Sequence, residues 1–227
     1  MRYPVHVILP VVLLGMIVNY GQSQVLRYAK NEPITGKHYL FPEFREGTIE
    51  LSSGQPIETM LNYNFITEEI VLDLGHTKAP YPNLDHVSSI IISDISLTPI
   101  DGTIYEILYA GPIALLVHRR QSVNRDGQSA QPGYGQSGAS SSSALSPSLH
   151  DKKLLYGLKL PGDYRLTMIN KYFIQEHGNL KEWTKLKQIQ KFFPNAKDEL
   201  SLYVKKEKVR MDSEKDLIKL FEFGLEN

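Results

Sequence analysis

Three side chains between Asp73 and His86 are of types that bind metal: Asp73, His76 and His86. Two imidazoles and one carboxylate form a donor set that can hold a catalytic zinc and activate its water. That chemistry needs both imidazoles aimed at one point, which metal-binding motifs secure by placing them close together on one element. Here they stand ten residues apart across the Pro-rich segment Lys78–Leu84, a spacing that orients nothing. Ordinary surface histidines are the plain alternative, so a periplasmic hydrolase or metal-dependent enzyme is a second reading and no metal is assigned. His38, His118, His150 and His177 are scattered, without partners at i+2 or i+4.

Glu68 and Glu69 are the one adjacent carboxylate pair in the strand-rich part that invites an acid–base reading. Neighbouring strand residues point to opposite faces, so the two cannot converge on one substrate without a bulge. Gly133 to Gly138 spells G-x-G-x-x-G, the glycine pattern that turns a strand into a helix against a pyrophosphate. No strand pattern precedes it and Ser140–Ser143 follows, so no dinucleotide cofactor is expected. Tyr63, Tyr105, Tyr109, Tyr156 and Tyr164 fall on strand-like runs. They could line a glycan groove, which makes a carbohydrate-binding module a third reading. Aromatic residues on half-buried strands are more commonly cross-strand packing pairs. No catalytic residue and no cofactor is assigned.

The composition narrows the classes further. The chain has 227 residues, with 25 basic and 25 acidic side chains. That balance argues against a nucleic-acid binder, which needs a clustered surplus of Lys and Arg. The absence of cysteine removes disulfides, thiol nucleophiles and Cys-ligated zinc. Met1–His6 carries Arg2, Val7–Val18 is a twelve-residue apolar run, and Gly21 and Ser23 are small residues two apart. This is the pattern of a signal peptide, residues 1–23, cleaved after Ser23. Twelve apolar residues are too few to cross a bilayer, which takes about 20. No transmembrane span is expected in the mature chain, and the expected destination is the periplasm or cell surface.

The elements that must carry these residues follow from periodicity. From Gly47 to about Ile174, short β-prone runs alternate with turn signals at Ser52–Gln55, Ser93-Asp94, Pro99–Gly102 and Ala110–Pro112. Strands so closely spaced leave no room for the crossovers that parallel pairing requires, so an antiparallel meander is expected. Gln121–His150 is rich in Ser, Gly, Gln and Pro and nearly lacks large apolar residues. It cannot offset its chain entropy by burial, so it is expected to be a mobile loop joining the two arms of a long hairpin. Its deletion should then leave the thermal midpoint nearly unchanged. Beyond Gly178 the period changes to about 3.6. Leu180, Trp183, Leu186, Ile189 and Phe193 make one apolar stripe, Leu200, Tyr203 and Val204 a second, and Leu217, Leu220, Phe221 and Leu225 a third. Ser213 and Asp216 are spaced like a capping box. The one basic run, Tyr203–Arg210, reads as a solvated helix end. The expected fold is α+β, an antiparallel domain at 24–177 followed by a helical end-piece of three helices at 178–227.

Leu61-Asn62-Tyr63-Asn64-Phe65 marks the register of the sheet. Alternation puts Leu61, Tyr63 and Phe65 on a buried face and turns Asn62 and Asn64 toward water or a neighbouring strand. On that reading Asn62→Ala should cost little, while truncating either ring should cost about 3 kcal/mol or more.

Several stretches in order, among them Gly47–Leu72, Thr103–Arg120, Pro132–Ser142, Leu155–Pro161 and Lys185–Phe223, resemble a group of uncharacterised secreted proteins of Bacteroidetes. The resemblance covers nearly all of the mature chain. It implies a secreted or cell-envelope location and carries over no catalytic or binding residues. The leading expectation is a non-enzymatic envelope protein that binds or supports another component, either a second envelope protein or a glycan.

Overall fold

The structure, a computed structural model, describes residues 34–125, 156, 159–160 and 164–227. Its elements in chain order are β1 (Ile34–Thr35), β2 (Arg45–Leu51), β3 (Ile57–Asn64), β4 (Glu69–Asp73), β5 (Lys78–Pro80), β6 (Val87–Ile92), β7 (Ile95–Ile100), β8 (Thr103–Tyr109) and β9 (Ile113–Arg125). There follow β10 (Lys159–Leu160), β11 (Tyr164–Glu176), β12 (Asn179–Trp183), α1 (Leu186–Ile189), α2 (Lys197–Lys206) and α3 (Glu214–Glu226). Ten strands form one antiparallel sheet in the order β12-β11-β9-β8-β7-β6-β2-β3-β4-β5. The α+β meander with a small helical end is therefore the fold. The short pair β1–β10 stands apart from that sheet.

Tight turns set much of this order. Asp101 and Gly102, with φ of 49° and 75°, join β7 to β8 in a two-residue hairpin. Positive φ at both central residues is the turn whose twist matches paired strands. His177-Gly178, with φ of 49° and 79°, does the same between β11 and β12. This corrects the expected boundary of the helical end-piece. Leu180 and Trp183 lie on a strand, so the first apolar stripe spans two elements and helix α1 holds only Leu186–Ile189. A three-residue spacing at a strand end imitates a helical stripe when a helix happens to follow.

A second correction concerns the loop. Gln121–Arg125 belongs to β9, which pairs with β11 from Tyr164↔Arg125 to Glu176↔Ile113 as the long hairpin. Val123 is buried, and the Gln121 N–H donates to the Phe65 carbonyl at 2.7 Å. Deleting 121–150 would therefore remove part of the sheet and would not be neutral. The remainder of that stretch, 126–150, and the signal-peptide pattern at 1–23 lie outside the described residues.

The sheet curls. In strand order β3 is five places from β9, yet the Tyr63 hydroxyl donates to the Arg119 carbonyl at 3.0 Å. With the Gln121–Phe65 backbone bond, this brings the sheet back on itself. Ile49, Leu61, Tyr63, Ile70, Ile90, Ile92, Leu97 and Ile104 fill the concave side with Phe41 and Phe65. A second core lies where the helices cover the other end of the sheet: Leu115, Ile174 and Trp183 meet Phe193, Leu200, Leu217, Leu220 and Phe221. Gly224 lets α3 approach the Phe193 ring, which a Cβ there would meet at 3.0 Å. Ser213 caps α3, its Oγ accepting from the Asp216 N–H at 3.4 Å. The Asp216 carboxylate takes the Arg210 N–H, not the reciprocal bond of a capping box.

Gly47 is where β2 passes closest to its neighbours. A Cβ there would lie 2.5 Å from the Ile91 carbonyl oxygen and 3.1 Å from Leu61 Cδ2. Backbone cannot swing aside as a side chain can, and a glycine inside a strand marks such a close approach. Gly47→Ala is expected to cost about 1–3 kcal/mol, the usual scale for overpacking. A lower urea midpoint with an unchanged slope would display it, and a midpoint equal to wild type would show that the strand relaxes freely.

The Asn62 reading is also corrected. Asn62 and Asn64 are fully buried, as are Tyr63 and Phe65. Between Tyr39, which bridges to Asn64, and Arg45, which pairs with Leu61, the chain bulges away from β3. The Asn62 amide nitrogen donates to the Phe41 and Glu43 carbonyls at 2.8 and 3.1 Å. Its oxygen accepts from the Phe41 and Tyr63 N–H groups at 3.1 and 2.9 Å. The side chain thus replaces the ladder that the bulge interrupts. Asn64 Oδ1 caps the following turn by accepting from the Ile66 and Thr67 N–H groups.

Candidate functional site

The residues that suggested metal chemistry are not gathered. His76 and His86 are exposed on turns. Asp73 sits 3.4 Å from the Lys78 ammonium and accepts the Gly75 N–H, so its carboxylate closes the β4–β5 turn. Among the described residues no group of three His, Asp or Glu side chains is placed to hold a metal. Glu68 lies in the turn before β4 and Glu69 opens the strand, and the two take separate partners. Glu68, at φ 57°, meets His118 Nε2 at 2.8 Å, and Glu69 accepts from the Tyr156 hydroxyl at 2.8 Å. Of the five tyrosines, Tyr63, Tyr105 and Tyr156 are buried and Tyr109 is half-buried, while Tyr164 opens β11. The glycine string at 133–138 lies outside the described residues.

A charged cluster missed by sequence reasoning lies between the sheet and α3. Arg119 Nε donates to Glu106 at 2.6 Å, and its two terminal nitrogens donate to the two oxygens of Glu214 at 2.8 and 2.9 Å. The Tyr172 hydroxyl adds a bond to Glu214 at 3.1 Å. All three charged side chains are nearly buried. Alternation offered a clue, since Glu106 shares its face of β8 with buried Ile104. Glu214 begins α3, where the helix dipole favours a carboxylate. Burial alone would push the Arg119 guanidinium down, but its hydrogen bonds to Glu214 and the charge of Glu106 hold it above its usual value. A cavity of about 10 Å³ beside Tyr63, Glu106 and Arg119 has room for about one water. Each charged member is paired within the cluster, which ties α3 to the sheet.

Buried phenols give the fold a pH signature. Burial pushes Tyr63 and Tyr39 well above the ordinary phenol value, and Tyr172 rises through burial and the charge of Glu214. Because the folded state favours the protonated phenol, the associated stability is complete below about pH 10 and is lost as pH rises beyond it. The urea midpoint should hold level to about pH 9.5 and fall above pH 10, with these phenols ionising only on unfolding. Absorbance titration near 295 nm would detect this. Ordinary titration of all tyrosines with the fold intact would contradict it.

The outer face of β3, β2 and β6 carries exposed apolar side chains. Since Leu61, Ile49 and Ile90 point into the core, Met60, Thr48 and Ile91 must point out. A shallow groove there is lined by Glu46, Thr48, Glu58, Met60, Ile91 and Ser93. Met60 and Ile91 remain 39% and 38% exposed, and Glu46 and Glu58 are exposed beside them. Arg45, level with Leu61, takes the other face of β2, its guanidinium 4.4 Å from the Phe41 ring centre and donating to Ser93 Oγ at 3.3 Å. Aliphatic surface between carboxylates suits groups with an apolar body and a cationic head. No helix among the described residues is long and apolar enough to cross a membrane. No protein-family profile, no curated protein and no solved structure matches this chain.

Proposed function

We propose that this chain is a non-enzymatic secreted or periplasmic envelope protein, a binding or structural module whose working surface is the outer face of β3, β2 and β6. One observation carries the reading: Met60 and Ile91 are exposed in the same groove, between Glu46 and Glu58, on a curled sheet whose inside is filled with side chains. A rigid sheet with an apolar strip between charges is suited to recognition. The groove is aliphatic and acidic, not aromatic, which favours a protein partner over a glycan. The signal-peptide pattern at Met1–Ser23 and the resemblance to secreted Bacteroidetes proteins support export.

Crosslinking and capture from the native envelope, with wild type beside Met60→Asp/Ile91→Asp, tests the reading. The wild type should retain a partner that the variant loses while keeping its thermal midpoint. Equal capture by both proteins would reject the surface. Unprocessed chain in the cytoplasm would reject the location.

A further inference from the structure

The partner of this groove is the subject of a narrower inference, which rests on the surface proposed above. Leu202 on α2 is the most exposed large apolar side chain among the described residues, at 67%. Lys205 and Lys206 follow it by three and four positions, so all three share one helix face, and both lysines are exposed. Asp198, also exposed, stands one turn before Leu202 on the same face. The stripe therefore runs from acid through an apolar knob to base. The groove is complementary to the basic end of that stripe: Met60 and Ile91 are its aliphatic part, with Glu46 beside Met60 and Glu58 opposite Thr48.

We propose that the groove on β3, β2 and β6 receives helix α2 of a second copy of the same chain. Leu202 sits between Met60 and Ile91, and Lys205 and Lys206 face Glu46 and Glu58. Because groove and helix are different surfaces, the contact is head-to-tail. It builds rings or open chains of copies, not a two-fold dimer.

A charge exchange on the full exported chain tests this. Sedimentation velocity from about 10 μM to about 1 mM should show the wild type's average mass rising with concentration, and rising less as salt increases to about 0.5 M. Glu46→Lys/Glu58→Lys places a basic groove against a basic helix, and Lys205→Glu/Lys206→Glu places an acidic helix against an acidic groove. Each variant alone should associate at least about tenfold more weakly, since like charges then face each other. Their equimolar mixture should regain association, because each groove then finds a helix of opposite charge. Every substituted position is exposed, so folding is not at issue. A wild type that stays monomeric to about 1 mM, variants that associate as wild type does, or a mixture that fails to recover would each overturn the proposal. If the wild type is monomeric yet Met60→Asp/Ile91→Asp still loses an envelope partner, self-association falls and the binding surface stands.

Discussion

Arg119→Met is expected to destabilise the fold by about 3–5 kcal/mol, the scale on which a broken buried ion pair leaves an uncompensated charge. The substitution preserves much of the side-chain volume, so packing loss contributes little. What it leaves behind is Glu106 and Glu214, both nearly buried, facing each other without the guanidinium that bonds to each. Tyr172 can satisfy only one oxygen of Glu214. For a domain of this size the loss corresponds to a thermal midpoint lower by about 6–20 °C. The triple replacement Glu106→Leu/Arg119→Met/Glu214→Leu separates the penalty of a broken pair from the net value of the cluster. Since buried ion groups exchanged for apolar ones of similar size are often neutral or better, the triple variant should recover most of the single variant's loss. Urea unfolding of both proteins decides the matter. A single-variant loss under about 1 kcal/mol would mean that water reaches the carboxylates. A triple variant no better than the single would mean that the cluster sets the docking of α3 beyond its charge balance.

Asn62→Ala is expected to cost about 3–5 kcal/mol, because several buried backbone groups lose their partner at once and each costs about 1–3 kcal/mol when left unpaired. The groups are the Phe41 N–H and C=O, the Glu43 C=O and the Tyr63 N–H. Some of the Glu43 carbonyl's loss will be met by water, since Glu43 itself is exposed. Asn62→Asp is the informative companion. It keeps the acceptor toward Phe41 and Tyr63, removes the donors to Phe41 and Glu43, and turns a carboxylate toward two carbonyls. It should be at least as damaging as alanine near neutral pH and less so when protonated. Hydrogen exchange supplies a local readout: the Phe41 and Tyr63 amides should lose protection in Asn62→Ala before the β9–β11 ladder does. A stability within about 1 kcal/mol of wild type would show that the bulge holds without the amide.

These two expectations mark where sequence reasoning stops. Parity along β3 was legible: Leu61, Tyr63 and Phe65 are buried as alternation requires. The same parity sends Asn62 and Asn64 outward, and in a flat sheet outward means water. In this chain the segment 36–44 lies across that face, and nothing in the pattern L-N-Y-N-F reports it. Nothing near Arg119 in the sequence reports its cluster, because the carboxylate that completes it is 95 residues away. The candidate groove was legible only as a parity class. Met60, Thr48 and Ile91 are outward by alternation, but their meeting in one surface required the pairing of β3 and β6 on either side of β2.

The sequence by itself determined the local geometry. Period-two runs punctuated by Ser93-Asp94 and Asp101-Gly102 define strands and antiparallel order, because pleat and turn dihedrals are set within a few residues. The helical stripes beyond Leu186 and the Ser213 cap belong to the same class. The tertiary structure alone decided that the sheet curls until Tyr63 reaches Arg119, that a bulge buries Asn62, and that α3 docks through Glu214. Those contacts join residues 56, 21 and 95 positions apart. Their free energy comes from burial and from pairing desolvated charges, quantities that exist only once distant segments have met.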